Sequence, residues 1–319
     1  MKYAVVFPGQ GAQEVGMGKD FFDRYATSRA IFERSDEALG FNLSRIIFSG
    51  PDIELEKTEY AQPAILTTSM ALFRCLEEEK GIAFTPEFVA GHSLGEYTAL
   101  VASEALSLED GVRLVHLRGK LMQETVPLGV GSMAAIIGLD RESVISICES
   151  ASELGICQAA NFNAPGQIVI SGERQAVDKA ISMCKDAGAK RALPLKVSAP
   201  FHSRLMRPVA DRLRESIARS EWKKPKWPLV ANVSAQKETD VESIQEALFL
   251  QTFMPVLWSG SVEFIISRGV RHFVEIGPGS VLTGLIKRIS ADANCLSLFD
   301  LDGLGQVIDF LKGGQYDDS

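Results

Sequence analysis

The sequence predicts an α/β protein in which a large domain, built on a parallel sheet, carries a small inserted α+β domain. Short apolar runs typical of strands alternate with amphipathic helical stretches through most of the chain, which is the pattern of a parallel sheet covered by helices. Between residues 127 and 197 the order changes to strand, helix, strand, strand, helix, strand. This second order is typical of a ferredoxin-like domain.

The large domain is predicted from segments on both sides of that insertion. The predicted strands cover residues 3–7, 88–90 and 273–276, and each is apolar and short. The predicted helices show apolar residues at helical spacing and cover residues 20–39, 64–79, 96–102, 108–123, 202–220 and 280–289. Residues 1–126 and 198–319 are therefore assigned to the large α/β domain.

The small domain is predicted to span residues 127–197. Its strands are expected at residues 132–137, 157–162, 167–171 and 191–195, and its helices at residues 141–154 and 174–187. Both helices carry an apolar stripe, formed by Val144, Ile147, Cys148 and Ala151 in the first and by Val177, Ala180, Ile181 and Cys184 in the second. We expect the active site in the cleft between the two domains.

Composition and charge exclude several classes of protein. The formal net charge of -8 is spread over both halves without long runs of one sign, so we expect neither a nucleic-acid surface nor a membrane-binding basic helix. No stretch approaches the ~20 apolar residues of a membrane-spanning helix. The 5 cysteines are far apart and lack zinc-ligand spacing, which predicts reduced thiols in a cytoplasmic protein without a metal.

The segment GHSLG at residues 91–95 has the G-x-S-x-G pattern between a predicted strand and a predicted helix. In this context a sharp turn lifts the Ser93 hydroxyl above the sheet, and small neighbours allow the backbone to close so tightly. The start of the next helix directs N–H groups toward the oxygen that becomes charged in acyl transfer. Ser93 is therefore the predicted nucleophile.

A serine nucleophile needs a base, and the chain contains 4 histidines. His92 lies within the turn itself, His116 lies within a predicted helix, and His272 opens a strand. His202 follows a proline-broken loop where the chain leaves the small domain, so its side chain can face the cleft. We predict that His202 is the base and treat His272 as the weaker candidate.

Arg118 is unusual because its helical neighbours three and four positions away are apolar. A guanidinium on such a face either reaches the surface or meets an anion, since it stays charged when buried. Two alternatives remain: a structural ion pair with a carboxylate of this chain, or a clamp for a substrate carboxylate.

Two glycine-rich segments were considered as ligand loops. FPGQGAQ at residues 7–13 follows the first strand and can approach the elbow, but Glu14 stands where a dinucleotide-binding loop needs a small residue. No phosphate-binding P-loop is present, so neither a nicotinamide or flavin cofactor nor phosphoryl transfer is expected. The segment 277–279, GPG, is either an anion site at a helix start or a plain strand-to-helix turn.

Four ordered segments together resemble the malonyl-CoA:acyl carrier protein transacylase family: FPGQGAQ at 7–13, GHSLGEYTAL at 91–100, SAPFHS at 198–203 and EIGPGSVLTGLIKR at 275–288. The likeness extends to NFNAPGQIVISG at 161–172 and QTFMPVLW at 251–258, and so spans nearly the whole chain. It implies a hydrolase-like large domain with a ferredoxin-like insertion.

The resemblance also implies roles for individual residues. Ser93 corresponds to the acylated nucleophile, His202 to the base and Arg118 to the arginine that pairs with the malonyl carboxylate. The backbone N–H groups of Gln10 and Leu94 would form the oxyanion hole. The backbone carbonyl of Gln251 would orient the histidine in a Ser-His dyad without an acidic third member.

The implied reaction moves malonyl from coenzyme A to Ser93 and then to the phosphopantetheine thiol of an acyl carrier protein, without cofactor or metal. The carrier is expected to dock on basic residues, for which the candidates are Lys190, Arg191, Lys196, Lys287 and Arg288. Phe201 departs from the serine common in stand-alone fatty-acid members and favours malonyl over methylmalonyl, so fatty-acid and trans-acting polyketide roles both stay open. The alternatives are a serine hydrolase that clears acyl groups from carriers, and a non-catalytic binding module.

Overall fold

The computed structural model describes residues 2–78, 84–127, 129–197 and 199–313. Two sheets organise this part of the chain. The main sheet has six strands in the order β10-β9-β1-β2-β7-β8, and all neighbouring pairs whose direction is recorded are parallel except β7 with β8. Its strands are β1 (Tyr3–Phe7), β2 (Phe88–Gly91), β7 (Leu229–Val230), β8 (Lys237–Glu238), β9 (His272–Ile276) and β10 (Asn294–Leu298).

The second sheet has four antiparallel strands in the order β4-β5-β3-β6. These strands are β3 (Gly131–Ile137), β4 (Cys157–Ala164), β5 (Gln167–Glu173) and β6 (Arg191–Pro194). All of them lie within the predicted insertion, and their order is that of a ferredoxin-like sheet. The predicted fold class, a parallel α/β sheet with a small antiparallel α+β unit, is therefore confirmed.

Helices cover the main sheet on both faces, as a parallel sheet requires. The helices of the large unit are α1 (Lys19–Arg24), α2 (Ala26–Leu39), α3 (Leu43–Ser49), α4 (Asp52–Leu55), α5 (Thr58–Glu77), α6 (Leu94–Ala102), α7 (Leu108–Thr125), α10 (Arg207–Arg219), α11 (Val241–Gln251), α12 (Trp258–Ser267), α13 (Val281–Ile289) and α14 (Leu301–Gly313). Those of the small unit are α8 (Arg141–Ala151) and α9 (Arg174–Asp186).

Three predicted helices differ from the structure at their ends. The single helix expected at 20–39 is divided by Tyr25, whose extended backbone (φ -116°, ψ 122°) separates α1 from α2. The helix expected from residue 202 begins only at Arg207, after a short 3₁₀ turn, because His202 has a left-handed backbone that a helix cannot contain. The helix expected to reach residue 154 ends at Ala151 and continues as a 3₁₀ turn.

Other elements were not predicted at all. These are the strands β7, β8 and β10 and the helices α3, α4, α11, α12 and α14. Strands β7 and β8 have two residues each and α4 has four, too few to show a period, whereas α14 was missed although its apolar residues recur at helical spacing. Three predicted boundaries lie partly outside the described residues: the end of the helix at residue 79, the domain boundary at residue 198, and the chain end beyond residue 313.

The small unit has its own apolar core between its sheet and its two helices. Ile136, Ile170, Val144 and Val177 belong to this core, together with Cys148 and other side chains that are less than a tenth exposed. The division into residues 127–197 and the remainder of the chain stays a prediction.

Strand β4 joins the two units. It contains register shifts between Ala159 and Ala164, and at this irregular stretch it pairs with the large unit. The N–H of Phe162 donates to the carbonyl of Val256 at 2.9 Å, and the N–H of Val256 donates to the carbonyl of Ala160 at 2.9 Å. The small unit is therefore anchored by backbone hydrogen bonds close to the carboxyl ends of the main-sheet strands.

Candidate active site

The turn between β2 and α6 has a strained backbone at Ser93, with φ 53° and ψ -105°. Its flanking glycines are required by space. A Cβ atom on Gly91 would lie 1.9 Å from the carbonyl carbon of Gly95, and one on Gly95 would lie 2.1 Å from the carbonyl oxygen of Phe7. The predicted nucleophile elbow is thus present, and the backbone geometry explains why glycine stands at both positions.

Asn232, a fully buried side chain after β7, holds this turn in place. Its Oδ1 accepts a hydrogen bond from the N–H of Ser93 at 2.7 Å, and its Nδ2 donates to the carbonyl of Gly91 at 2.7 Å. Nothing in the local sequence near position 232 points to the elbow, so Asn232 is not among the predicted site residues. One consequence is that the N–H of Ser93 is already engaged.

His202 lies beside Ser93, with 2.7 Å between its Nε2 and the Ser93 Oγ. On the other side of the ring, Nδ1 is 2.7 Å from the carbonyl oxygen of Gln251. Since a carbonyl can only accept, Nδ1 carries the proton and Nε2 presents a lone pair to the serine hydroxyl. Burial, followed by the nearby charge of Arg118, lowers the pKa of His202 to about 3, so the imidazole is neutral at physiological pH.

The loop that carries His202 is fastened to the small unit. The N–H of Arg204 donates to Oε1 of Gln158 on β4 at 3.1 Å, and the Ser203 hydroxyl donates to the carbonyl of Pro200 at 2.7 Å. These contacts hold His202 in its left-handed conformation, φ 55°. The position of the predicted base therefore depends on contacts with both units, and the location of the active site between them stays a prediction.

The three remaining histidines lie elsewhere and make no hydrogen bond to Ser93 in the described parts of the chain. His92 Nε2 is 2.8 Å from Oδ1 of Asn163, and His116 Nδ1 is 2.8 Å from the carbonyl oxygen of Glu59. The ring of His272 packs against Phe310, with 5.2 Å between centroids. The choice of His202 over His272 agrees with this geometry.

Arg118 is buried, with 2% of its surface exposed, and its guanidinium reaches the serine. Nη2 donates to Ser93 Oγ at 3.1 Å and to Gln251 Oε1 at 2.9 Å, while Nη1 donates to Gln62 Oε1 at 2.8 Å. All three acceptors are neutral. Within residues 2–78, 84–127, 129–197 and 199–313, no carboxylate oxygen lies within 4.0 Å of this guanidinium, so Arg118 has no direct ion pair there.

Gln251 connects every one of these groups. Its main-chain carbonyl accepts from His202, and its side-chain Oε1 accepts from Arg118. Its Nε2 donates to the carbonyl of Ser93 at 2.7 Å and to Oε2 of Glu96 at 2.9 Å. The expectation for this residue concerned its carbonyl alone, and the role of its side chain is visible only in the folded protein.

Glu96 is a fully buried carboxyl that the sequence analysis did not single out. Its Oε2 accepts from Gln251 and from the N–H of Asn232, the latter at 3.2 Å. Its Oε1 has no hydrogen-bond partner among the described residues. Burial, opposed by these hydrogen bonds and by the charge of Arg118, raises the pKa of Glu96 to about 7.

Gln10 and Leu94 lie at the same edge of the main sheet. Phe7 of β1 pairs with Gly91 of β2, and each of the two residues follows its strand end by three positions. The loop after β1 packs on the elbow, because a Cβ on Gly9 would lie 2.5 Å from the His92 carbonyl oxygen. Neither backbone N–H donates to a described residue, whereas the Gln10 side chain donates to Thr58 Oγ1 at 3.1 Å.

Phe201 directly precedes His202 and is 9% exposed. Its ring belongs to the main apolar core together with Met133 and Val169 of the small unit. It therefore lies at the junction of the two units beside the base. Its expected influence on substrate size stays a prediction.

Two absences apply to the described residues. No group of three or more His, Cys, Asp or Glu side chains is arranged there to hold a metal ion. No helix found there is long and apolar enough to cross a membrane. Cys75, Cys148, Cys157 and Cys184 are buried, and Cys295 is partly exposed.

Comparison with known proteins first defines the class. The chain matches the acyl transferase domain family over residues 4–297, which is nearly its whole length. Two similar proteins agree with this match, and their names specify the acyl group and the acceptor. The malonyl CoA-acyl carrier protein transacylase of Escherichia coli (strain K12) is 49% identical over 288 residues, 90% of this chain and 93% of the relative. The protein of that name from Bacillus subtilis (strain 168) is 45% identical over 312 residues, 98% of each chain.

Solved structures agree. The acyl-carrier-protein-S-malonyltransferase from Bartonella henselae superposes with a TM-score of 0.95 at 45% identity, covering 98% of this chain and 99% of the other. A malonyl-transacylase in complex with its type II PKS acyl-carrier protein gives a TM-score of 0.94 at 44% identity, covering 97% and 100%. The chain belongs to the acyl transferase family, within its malonyl CoA-acyl carrier protein transacylase branch.

Proposed function

We propose that this protein transfers a malonyl group from malonyl-CoA to the phosphopantetheine thiol of an acyl carrier protein through a malonyl-Ser93 intermediate. The observation that carries the proposal is the position of the Ser93 Oγ, which lies 2.7 Å from a neutral imidazole and 3.1 Å from a buried guanidinium. The first group accepts a proton, and the second attracts a carboxylate. The names of the relatives, all malonyl transacylases, support the same reaction.

In the first half-reaction, Ser93 Oγ attacks the thioester carbonyl while His202 Nε2 takes the hydroxyl proton. The carbonyl electrons move to oxygen, and the N–H groups of Gln10 and Leu94 are proposed to stabilise that charge, since both are free to donate. When the C–S bond breaks, the proton returns from His202 to the departing sulfur and coenzyme A leaves as a thiol. The carrier thiol reverses these steps, so atoms and protons balance without a cofactor.

The low pKa of His202 keeps the imidazole in the neutral form, which is the form that can accept the serine proton. A histidine that protonates only near pH 3 is ready to accept a proton at every pH at which the protein works. The carbonyl of Gln251 fixes the ring and compensates part of the positive charge that forms during attack. We therefore expect no loss of acylation rate between pH 7 and pH 5.5 that arises from His202.

Arg118 is proposed to bind the malonyl carboxylate. The carboxylate of a malonyl ester lies one methylene from the acyl carbon, so a guanidinium within hydrogen-bond reach of the serine oxygen can hold it bidentately. Replacing Arg118 with Ala should reduce malonyl transfer far more than acetyl transfer. Equal reductions for malonyl-CoA and acetyl-CoA would contradict the clamp.

Intact mass after exposure to malonyl-CoA tests the reaction itself. A lasting malonyl adduct that is absent in Ser93→Ala and is discharged by carrier protein supports transfer. Rapid release without carrier would support a serine hydrolase, and no adduct would support a binding module. A hydrolase of neutral acyl chains has no use for a buried guanidinium at the nucleophile, which is why transfer is preferred.

The carrier is proposed to dock at one end of the small sheet. Ile137 of β3 pairs with Arg191 on one side and with Gln167 on the other, and Arg288 Nη1 donates to Gln167 Oε1 at 2.6 Å. Arg191 and Arg288 are therefore close neighbours, with Lys190 and Lys287 adjacent in sequence, and all four are exposed. Lys196 lies beyond the other end of β6 and is not part of this basic cluster.

Charge reversal tests this docking surface. Arg191→Glu and Arg288→Glu should weaken use of the carrier while leaving loading by malonyl-CoA intact, because a rim charge mainly affects encounter with an acidic partner. Lys196→Glu is the matched control on the same unit. Equal loss of loading and carrier use would reject the docking site.

Phe201 is proposed to limit the size of the acyl group, in a protein that supplies malonyl units for either fatty-acid or polyketide synthesis. A bulky ring beside the base crowds a branched acyl group, so Phe201→Ser should increase methylmalonyl loading relative to malonyl. Cys148, Cys157, Cys184 and Cys295 form no disulfide, which supports the proposal of a cytoplasmic protein.

A further inference from the structure

The charge of Arg118 is balanced by none of its direct contacts. Its three hydrogen-bond acceptors are a hydroxyl and two amide oxygens, and its Nε has no partner among the described residues. The ring of Tyr97, 5.5 Å from the guanidinium carbon, contributes only its aromatic face. A buried cation in such surroundings is strongly affected by any anion that comes near.

One buried carboxyl lies a single side chain away. Gln251 accepts from Arg118 through Oε1 at 2.9 Å and donates to Glu96 through Nε2 at 2.9 Å, so the amide bridges the two charged groups. The same contacts set the orientation of the amide, because its oxygen must face the guanidinium and its nitrogen the carboxyl. Glu96 thus acts on Arg118 without occupying the position that a substrate carboxylate would take.

The remaining groups that face Glu96 leave it poorly satisfied. The N–H of Asn232 donates to the oxygen that Gln251 already uses, and the other oxygen has no partner among the residues described. Glu238 of β8 adds a like charge, while Arg118 is the cation that favours ionisation. Burial raises the pKa of Glu96, and the hydrogen bonds from Gln251 and Asn232 and the charge of Arg118 lower it, so both protonation states are within reach and a change in the charge near Arg118 shifts the balance.

We propose that Glu96 is the buried counter-ion of Arg118 in the empty enzyme, and that it takes up a proton when a substrate carboxylate pairs with Arg118. This inference rests on the proposed function, because it requires that the acyl group carry a carboxylate to the guanidinium. Glu96 acts through Gln251 and Arg118 and does not touch the reacting atoms, so it is a positioning residue and not a catalytic one.

The sign follows from the charges. In the empty site the pKa of Glu96 is about 7, with Arg118 lowering it. A bound carboxylate neutralises Arg118 and adds a negative charge of its own, so both effects raise the pKa of Glu96 and a proton is bound. Because Glu96 is more fully ionised in the empty site at pH 8 than at pH 7, uptake per acylated site should rise between these two pH values.

Proton uptake can be measured directly during acylation. The protein is mixed with malonyl-CoA in weakly buffered solution containing a pH-indicator dye, and the extent of acylation is determined by intact mass. Near pH 7 acylation itself is close to neutral in protons, because the serine proton leaves on the coenzyme A thiol; at pH 8 a fraction of that thiol ionises, and the acetyl-CoA reaction measures this release. The wild-type protein should therefore show net uptake that increases from pH 7 to pH 8.

Glu96→Gln is the central variant, because Gln can keep an acceptor oxygen for Gln251 and Asn232 but cannot titrate. It should form the malonyl adduct with an uptake of less than about a tenth of a proton at either pH. Uptake equal to that of wild type would overturn the proposal. So would a complete wild-type adduct formed without uptake at pH 8.

A second comparison needs no variant and holds even if Glu96→Gln does not fold. Acetyl-CoA brings no carboxylate, so any acetyl adduct on the wild-type protein should form without proton uptake. Equal uptake per adduct with acetyl-CoA and malonyl-CoA would also reject the coupling. Failure of malonyl-CoA to form an adduct would instead reject the proposed function, which keeps the two outcomes distinct.

Discussion

Two strand-to-helix turns of the main sheet have similar sequences but different physical states. The first, residues 91–96, joins β2 to α6, and the second, residues 277–281, joins β9 to α13. Both contain two glycines and a serine, and each has a fully buried glutamate at the turn, Glu96 in the first case and Glu275 in the second. Only the first carries the site.

The second turn has its hydrogen bonds satisfied. Glu275 Oε1 accepts from the N–H of Leu282 at 3.0 Å, and Oε2 accepts from the N–H of Thr283 at 2.7 Å. The carboxylate of the protein itself therefore occupies the start of α13, which favours the plain-turn alternative over an anion site at 277–279. Ser280 has a negative φ of -148° and therefore lacks the left-handed backbone of Ser93.

The first turn has a strained backbone and an unmet hydrogen bond. Ser93 has a positive φ, and Glu96 leaves one oxygen without a partner among the described residues. A glycine-rich turn between a strand and a helix is therefore not sufficient for a reactive site. Backbone strain and unmet hydrogen bonds distinguish the turn that holds the proposed nucleophile from the turn that only connects two elements.

Replacement of each serine by alanine should give the largest difference in transfer rate between the two turns. Ser93→Ala removes the proposed nucleophile, so malonyl transfer should fall by about 10³-fold or more. Ser280→Ala removes an exposed side chain that caps no helix N–H, and should leave the rate within about twofold. Steady-state transfer rates and intact mass measure both. Comparable losses in the two variants would show that the turns are not functionally different.

The glycines provide the next comparison. Gly95→Ala would place a Cβ 2.1 Å from the backbone oxygen of Phe7, so it should lower the free energy of unfolding by about 3 kcal/mol. Gly284→Ala in α13 meets nothing within 4 Å and should be neutral or stabilising by up to about 1 kcal/mol. Denaturant unfolding measures both. A stable Gly95→Ala protein with full activity would contradict the tight-turn argument.

Glu275→Gln should destabilise the protein by about 1–3 kcal/mol, because an amide nitrogen would then face one of the two helix N–H groups. The substitution lies outside the network around Ser93, so transfer by the folded fraction should be unchanged. Thermal unfolding and active-site titration measure the two effects. An unchanged melting temperature would mean that the carboxylate does not anchor α13.

Glu96→Gln should have the smallest effect and, unlike Glu275→Gln, should stabilise the folded protein. The pKa of Glu96 is about 7 when folded, above its unfolded value, so the folded protein binds more protons and loses stability as pH rises toward 7. At pH 8 the variant should therefore have a free energy of unfolding about 1–2 kcal/mol above that of wild type and should melt a few degrees higher. At pH 5 both differences should be smaller. A pH-independent difference would indicate that Glu96 does not titrate in this range.

Part of the regular structure was predicted from the sequence. Strand β1 was predicted at its observed bounds, and the small unit was recognised because its order of elements is unusual. Elements such as β7 were missed because two residues show no periodicity. Asn232 and the side chain of Gln251 were missed for another reason, since their contacts with Ser93 span 139 and 158 positions of the chain.

By itself, the sequence determined the elbow at Ser93, the small choice of bases and the unusual arginine on an apolar helix face. These features depend on neighbours within one turn or one strand, where glycine spacing and apolar period act directly. Only the tertiary structure decided that Arg118 has neutral partners and that Glu96 lies behind Gln251. Those properties arise from burial and from contacts between distant elements, because a charge responds to everything packed around it and not only to its neighbours in the chain.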